Sequence, residues 1–225
     1  MHRSVRESWL AFNEPLAGRT DFMYLDVDGF VTTGLESRID TTREAMAAPS
    51  DAERGASHAL ARDLAWHRPV DDAPAAGDEV DAEWDLVKSR LDLAPLGRRP
   101  FQSLTTLRVR SEESDRRAFA ELDDLEKQLR LRAEFADFDA WPADAQLGLL
   151  SMAWIAGPQF KLPAFQARAG AADWIGAAGE CRLLPEHGTA RRRNDLDRQL
   201  FEGAARVVAE GLDVEQLLFG MSEPG

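Results

Sequence analysis

Apolar residues recur at helical spacing through the second half of the chain. Phe119, Leu122, Leu125 and Leu129 form one stripe over 112–132, and acids crowd the first turn, where the helix dipole favours them. Residues 142–156 are apolar nearly all round (Leu147, Leu149, Leu150, Met152, Trp154, Ile155), the pattern of a helix at the centre of a core. Pro142 suits its first turn and Gly157-Pro158 its end. Further helices are expected near 163–169 and 171–183, followed by a long amphipathic one over 190–209 that buries Leu196, Leu200, Ala204 and Val207.

In the first half the period changes. Residues 3–13 read as a short helix with Val5, Trp9 and Phe12 on one side. Pro15 is expected to stop it and to push Glu14 out of the helical region, placing Glu14 at the helix end. Phe22, Tyr24 and Asp26 then alternate with Met23 and Leu25. Asp28-Gly29 is a hairpin turn signal, Phe30-Val31-Thr32-Thr33 a β-branched return strand, and Gly34 its end.

From about 41 to 100 Ala, Asp, Glu and Pro dominate, with DDAPAAGDE (71–79) as an acidic, proline-punctuated loop. Short helices are expected at 51–66 and 80–91, the second with Val80, Trp84 and Val87 at helical spacing. PFQSLTTLRV (100–109) reads as a brief strand or an extended connector. The fold class is therefore α+β, mostly helical, with a small N-terminal sheet and a C-terminal helical bundle. The expected organisation is a single domain over 1–225: the hairpin segment in 1–40, an inserted acidic lobe in 41–110 and the bundle in 111–225.

Charge and cysteine content narrow the function classes. A formal net charge of −13 argues against nucleic-acid binding, since phosphate needs a basic face. The single cysteine, Cys181, excludes an intrachain disulfide and a cysteine-rich metal site, and it reads as a small buried hydrophobe. His2, His58, His67 and His187 lack ligand spacing, so no metal and no cofactor is expected. No apolar run reaches membrane-spanning length, and the N-terminus lacks the apolar core of a classical signal peptide. The expectation is synthesis in the cytoplasm and, for any export, another route.

The densest chemistry lies in FNEPLAGRTDFMYLDVDGFVTTG (12–34), which carries Glu14, Asp26 and Thr32. A carboxylic acid that protonates a leaving oxygen and a carboxylate that activates water are what glycosidic bond cleavage requires. Taken singly, Glu14 reads as a surface acid before a proline, Asp26 as a turn residue accepting backbone amides, and Thr32 as a strand former. Arg191-Arg192-Arg193 reads as a solvated helix start, with Arg193 also able to pair with an acid. The tryptophans at helical spacing read first as core.

YLDVDGFVTTG (24–34) resembles the Tyr-x-Asp-x-x-Gly-x-x-Thr-x-Gly hairpin of the phage-type lysozymes, muramidases of the lysozyme-like superfamily. DAQLGLLSMAWIAGPQF (144–160), FQARAGAADWIGAAGECRL (165–183) and ARRRNDLDRQLFEGA (190–204) resemble the helices of that family's bundle. The resemblance implies Glu14 as general acid, kept protonated by partial burial, Asp26 as the ionised base, and Thr32 as a hydrogen-bonding partner of the water. It further implies substrate contacts from Tyr24, Gly34, Glu36 and Arg193, hydrolysis of the MurNAc-GlcNAc β-1,4 bond, and inversion at the anomeric carbon. The implied partners are a peptidoglycan glycan strand and an immunity or delivery protein, with no nucleic acid and no membrane. The implied destination is the periplasm or cell wall, reached by phage lysis or a secretion system.

Two departures stand out. Gly34-Leu35-Glu36-Ser37 replaces the family's Gly-x-Gly-His, and Ile155 stands where relatives place Asn or Gln. They keep a catalytically silent lysozyme-like binding module open as an alternative. A lytic transglycosylase, which needs the glutamic acid but no activated water, is another. An acidic helical interaction protein with an accidental hairpin likeness is a third.

Overall fold

In a computed structural model, the first helix, α1 (Arg3–Ala17), does not stop before Pro15 but runs through it. Trp9, Phe12, Asn13 and Leu16 are all buried, a stripe at helical spacing, so ending the helix at residue 13 would expose Leu16. That burial outweighs the amide hydrogen bond lost at the proline. Glu14 thus lies inside a helix and not at its end. Residues 1–184 and 190–220 are described; His187 lies outside them. The chain divides into two compact units, Met1–Leu16 with Glu121–Gly225, and Ala17–Ala120.

The unit over Ala17–Ala120 begins with an antiparallel meander of β1 (Thr20–Leu25), β2 (Val31–Gly34) and β3 (Ser37–Arg38). Leu25 faces Val31, Tyr24 faces Thr32, and Thr33 faces Ser37. Helix α2 (Asp51–Arg62) starts at Ser50, whose hydroxyl accepts from the Glu53 amide while the Glu53 carboxylate accepts from the Ser50 amide, a reciprocal cap. A second three-stranded sheet follows from β4 (Trp66–Arg68), β5 (Ala73–Pro74) and, after helices α3 (Gly77–Lys88) and α4 (Phe101–Leu104), β6 (Arg108–Val109). The sequence foretold only the first sheet. Met23, Leu25, Val31 and Ile39 share one core with Trp66, Trp84, Val87, Phe101 and Leu107, so the hairpin and the acidic region 41–110 are packed as one body.

Helix α3 ties this unit together through polar atoms. The buried Glu83 carboxylate accepts from the Thr106 amide (2.6 Å) and from the Leu107 amide (3.1 Å). Trp84 Nε1 donates to the Ile39 carbonyl at 2.9 Å. Lys88 Nζ donates to the Gly29 carbonyl (2.8 Å) and to Asp40 Oδ2 (2.9 Å), and the two side chains are only 4% and 0% exposed. Asp40 also accepts from the Val31 and Thr42 amides. Burial pushes the Asp40 carboxyl up, but the bonds from Thr42, Lys88 and Val31 outweigh it and hold the group below its usual range.

Helix α5 (Ser111–Arg130) gives its first half to this unit and its second half to the other. The unit formed by Met1–Leu16 and Glu121–Gly225 is built on α6 (Ala143–Ala156), buried from Ala143 to Ala153 as its all-round apolar pattern requires. It packs on α9 (Ala190–Glu210), and Gly148 lies so close to Phe201 that an added Cβ would sit 3.0 Å from the ring. Between them in sequence lie α7 (Pro163–Gly170) and α8 (Trp174–Glu180). Trp141 meets Phe135 and Trp174 edge-on, and Trp9 meets Trp154. Asp144, buried at the start of α6, accepts the amides of Leu218 (2.8 Å) and Phe219 (3.0 Å) and so fastens the C-terminal segment. Among the described residues no helix is long and apolar enough to cross a membrane.

Asp40→Ala would leave the Lys88 ammonium buried without its anion, at a cost of about 3–5 kcal/mol. Replacing both, as Asp40→Leu with Lys88→Met, should recover most of that loss. Urea denaturation measures both; a loss below about 1 kcal/mol for the single variant contradicts the assignment.

Candidate functional site

The hairpin over 20–38 is where the structure gathers most of the candidate residues. Asp26 follows β1 directly and closes the turn. Its amide donates to the Phe30 carbonyl (3.0 Å), and its Oδ1 accepts from the amides of Asp28 (3.0 Å) and Phe30 (2.9 Å). Both side-chain bonds fall on Oδ1, so Oδ2 keeps its lone pairs for a donor from outside the turn. Burial raises the Asp26 carboxyl above its ordinary range, with the two turn amides opposing it. A half-buried carboxylate of raised proton affinity, fixed by one oxygen and open at the other, has the properties of a general base.

The glycines on either side set the shape. Gly29 has φ +79, and a Cβ there would lie 2.9 Å from Met46 Sδ, so the turn admits only glycine. The Met46 amide donates to the Asp28 carbonyl at 2.7 Å and closes the segment after the sheet onto the tip. Gly34 has φ +63, and its Cβ would lie 2.7 Å from Ser114 Oγ. Its requirement is thus close packing on α5.

Thr32 is buried, and its hydroxyl donates to the Phe30 carbonyl at 3.1 Å, where the resemblance implied a bond to water or to the carboxylate. Tyr24, opposite Thr32, is also buried; its phenol is raised first by burial and next by the nearby charge of Glu36. Neither side chain presents a surface to a sugar, contrary to what the resemblance implied for Tyr24. Arg38 lies over the Phe30 ring, 3.3 Å from guanidinium carbon to centroid, and Asp26 feels its charge. Glu36 is half-buried and left-handed, with φ +64. The three-residue turn Gly34-Leu35-Glu36 therefore keeps a backbone shape natural to glycine at a position now held by an acid.

Glu14 and Arg193 belong to the other unit. Glu14 is exposed on α1, so the partial burial expected of a general acid is not supplied by its own unit. Arg193, expected to contact substrate, is instead 2% exposed. Its Nη1 donates to Asn13 Oδ1 (2.9 Å) and to Ser151 Oγ (3.0 Å), which makes it an internal brace of α1 and α6. One turn further along α9, Asp197 is fully buried. Leu196, expected in the core, is half-exposed, because the buried stripe runs Arg193, Asp197, Leu200, Ala204, Val207. That stripe has helical spacing throughout, and reading it across the charged positions would have found the polar cluster.

The other candidates resolve simply. Trp9, Trp66, Trp84, Trp141 and Trp174 are buried, and Trp66 Nε1 donates to the Ala61 carbonyl. Cys181 is buried, and its thiol is pushed up to about 12, first by burial. His58 sits between Asp81 and Asp85 and edge-on to Trp84. Among the described residues no group of three His, Cys, Asp or Glu side chains is placed to hold a metal ion. Two cavities inside single units, of about 540 Å³ beside Arg132, Lys161 and Gln166 and about 470 Å³ beside Arg68, Val70 and Leu107, contain none of the candidate residues. The chain matches no protein-family model, no curated protein and no solved structure. The resemblance to phage-type lysozymes therefore stands on the motif residues alone.

Glu36→Gly removes a left-handed non-glycine residue and should stabilise the protein by about 1 kcal/mol, offset in part by the entropy of the unfolded glycine. Thermal unfolding reads it; a destabilised variant would mean that the Glu36 side chain contributes more than its backbone strain costs.

Proposed function

We propose that the protein is a peptidoglycan-cleaving glycoside hydrolase, a muramidase acting on the MurNAc-GlcNAc β-1,4 bond. The observation that carries this reading is the state of Asp26: held by turn amides through Oδ1, open at Oδ2, and raised in proton affinity by burial. In the reaction Glu14 gives its proton to the leaving glycosidic oxygen. Water attacks the anomeric carbon and passes its proton to Asp26. Because Glu14 is exposed in the free protein, the bound glycan itself must exclude the water that would otherwise favour its ionised form.

The remaining residues have supporting parts. Gly29 and Gly34 shape the hairpin, the Thr32 hydroxyl fixes the start of the return strand through the Phe30 carbonyl, and Arg193 braces α1 one residue before Glu14. Glu36 is the remaining half-buried acid on the hairpin and sits at its edge as a contact for substrate. The partners on this reading are a glycan strand and an immunity or delivery protein, and the working compartment is the periplasm or cell wall.

Commitment of the Thr32 hydroxyl to a backbone carbonyl favours a second reading, a lysozyme-like module that binds glycan without cleaving it. One assay separates the two. Purified wild type, Glu14→Gln and Asp26→Asn are incubated with isolated peptidoglycan, and soluble muropeptides are analysed by mass. The muramidase reading expects reducing-end products from wild type and a loss of about 100-fold or more in each variant. Anhydro-sugar ends would mean a transglycosylase. Folded wild type that sediments with peptidoglycan yet releases nothing would establish the silent module.

A further inference from the structure

A cavity of about 540 Å³ in the unit containing α6 and α9 is lined by charges that the proposed reaction does not employ. Pro163, Gln166 and Ala167 come from α7, spaced i, i+3, i+4 and so on one face. Gln159 and Lys161 come from the segment before α7, Arg132 and Glu134 from the turn after α5. The walls are fixed. Phe165, buried from the same helix, packs with Phe135 and Phe160, and the Arg132 guanidinium lies 4.7 Å and 5.0 Å from the centroids of those two rings. Gly170 approaches the Glu134 carbonyl so closely that a Cβ would lie 2.8 Å from it, which sets α7 against this turn.

The Arg132 side chain, only 10% exposed, donates from Nη1 to the Pro158 carbonyl (2.7 Å) and from Nη2 to Glu134 Oε1 (2.7 Å). Gln166 Nε2 donates to that same Oε1, and Gln166 Oε1 accepts from the Leu162 amide at 2.9 Å. Among the described residues no other side chain takes Glu134 Oε2. The amide of Glu134 itself, then Arg132 and Gln166, hold this carboxyl below its usual range, so it is an anion at neutral pH. Lys161 is exposed, and among the described residues it pairs with no acid, Glu134 included. Gln159, also exposed, leaves the donor and acceptor of its side-chain amide open among those residues. A preset anion, an unpaired ammonium, an open amide and the apolar strip of Pro163 and Ala167 thus line one space.

We propose that this cavity binds a short peptide with both termini free, its ammonium meeting Glu134 and its carboxylate meeting Lys161. The Gln159 amide matches the donor and acceptor of a peptide group, and Pro163 with Ala167 faces an apolar side chain. A ligand of one charge would leave either Lys161 or Glu134 unanswered, so a zwitterion fits better than a simple anion or a simple cation. The volume lies within the range of roughly 300–1,000 Å³ that small-molecule sites occupy. Arg132 and Gln166, by holding Oε1, orient the Glu134 carboxylate before the ligand arrives, which lowers the ordering cost of binding. The site is independent of the muramidase reading.

The test titrates the full chain with the dipeptide leucyl-alanine and follows the side-chain amides of Gln159 and Gln166 and the backbone amide of Ala167 by NMR. Saturable shifts with a Kd of about 1 mM or tighter are expected. Acetylating the amine of the dipeptide, or amidating its carboxylate, should each weaken binding about tenfold. Lys161→Met, at an exposed position, should bind the free and the amidated dipeptide equally well. Ala167→Phe should fill the cavity and abolish the shifts; should it not fold, Lys161→Met decides alone. Shifts that stay linear up to about 20 mM dipeptide overturn the site, as do blocked dipeptides that bind as tightly as the free one. A preference for the free carboxylate that persists in Lys161→Met overturns it equally.

Discussion

A buried ammonium that must keep its anion is the constraint on which the hairpin depends. Lys88 reaches from α3 to the carbonyl of Gly29 and to Asp40, and Asp40 reaches on to the amides of Val31 and Thr42. Separating any of these segments would strand a charge in a core that excludes water, which costs far more than the pair contributes when intact. The turn that carries Asp26 is therefore locked from beneath, by the pair, and from above, by its own two amide bonds. On the proposed muramidase reading, such preorganisation is what a group orienting a water molecule needs.

The second unit also stores charge in its core, with the opposite outcome. Asp40 is saturated with donors and held below its usual range, whereas burial pushes the Asp197 carboxyl up to about 7 against the opposing influence of Ser151 and Arg193. Two aspartates of equal burial thus differ in proton affinity because of what surrounds their oxygens.

Much of this architecture was written in residue spacing. The apolar stripes of α5, α6 and α9 and the Asp-Gly turn between β-branched runs foretold their elements within a few residues. Local rules failed where distant packing decided. Pro15 signals a helix end, but Leu16 gains more by burial than the helix loses at the proline. The second sheet joins strands of two and three residues from segments some 40 residues apart, too short for periodicity to register. At the site, the turn chemistry of Asp26 followed from Asp-x-Asp-Gly, while the bond of Thr32 to Phe30 and the burial of Tyr24 depend on neighbours that no motif specifies. The arginine run reads as a solvated helix start with Arg193 able to pair with an acid; its place in the stripe with Leu200 and Val207 is the better guide to its burial.

The proposed muramidase reading assigns Asp26 the activation of water, and the anomer released first tests that assignment most directly. Proton NMR during the earliest turnovers on a soluble glycan strand distinguishes the two anomers before mutarotation mixes them. Water activated by Asp26 on the face opposite the leaving group gives the α-anomer from a β-linkage. First release of the β-anomer would make Asp26 a nucleophile or remove it from the reaction, and either outcome contradicts the role assigned to it.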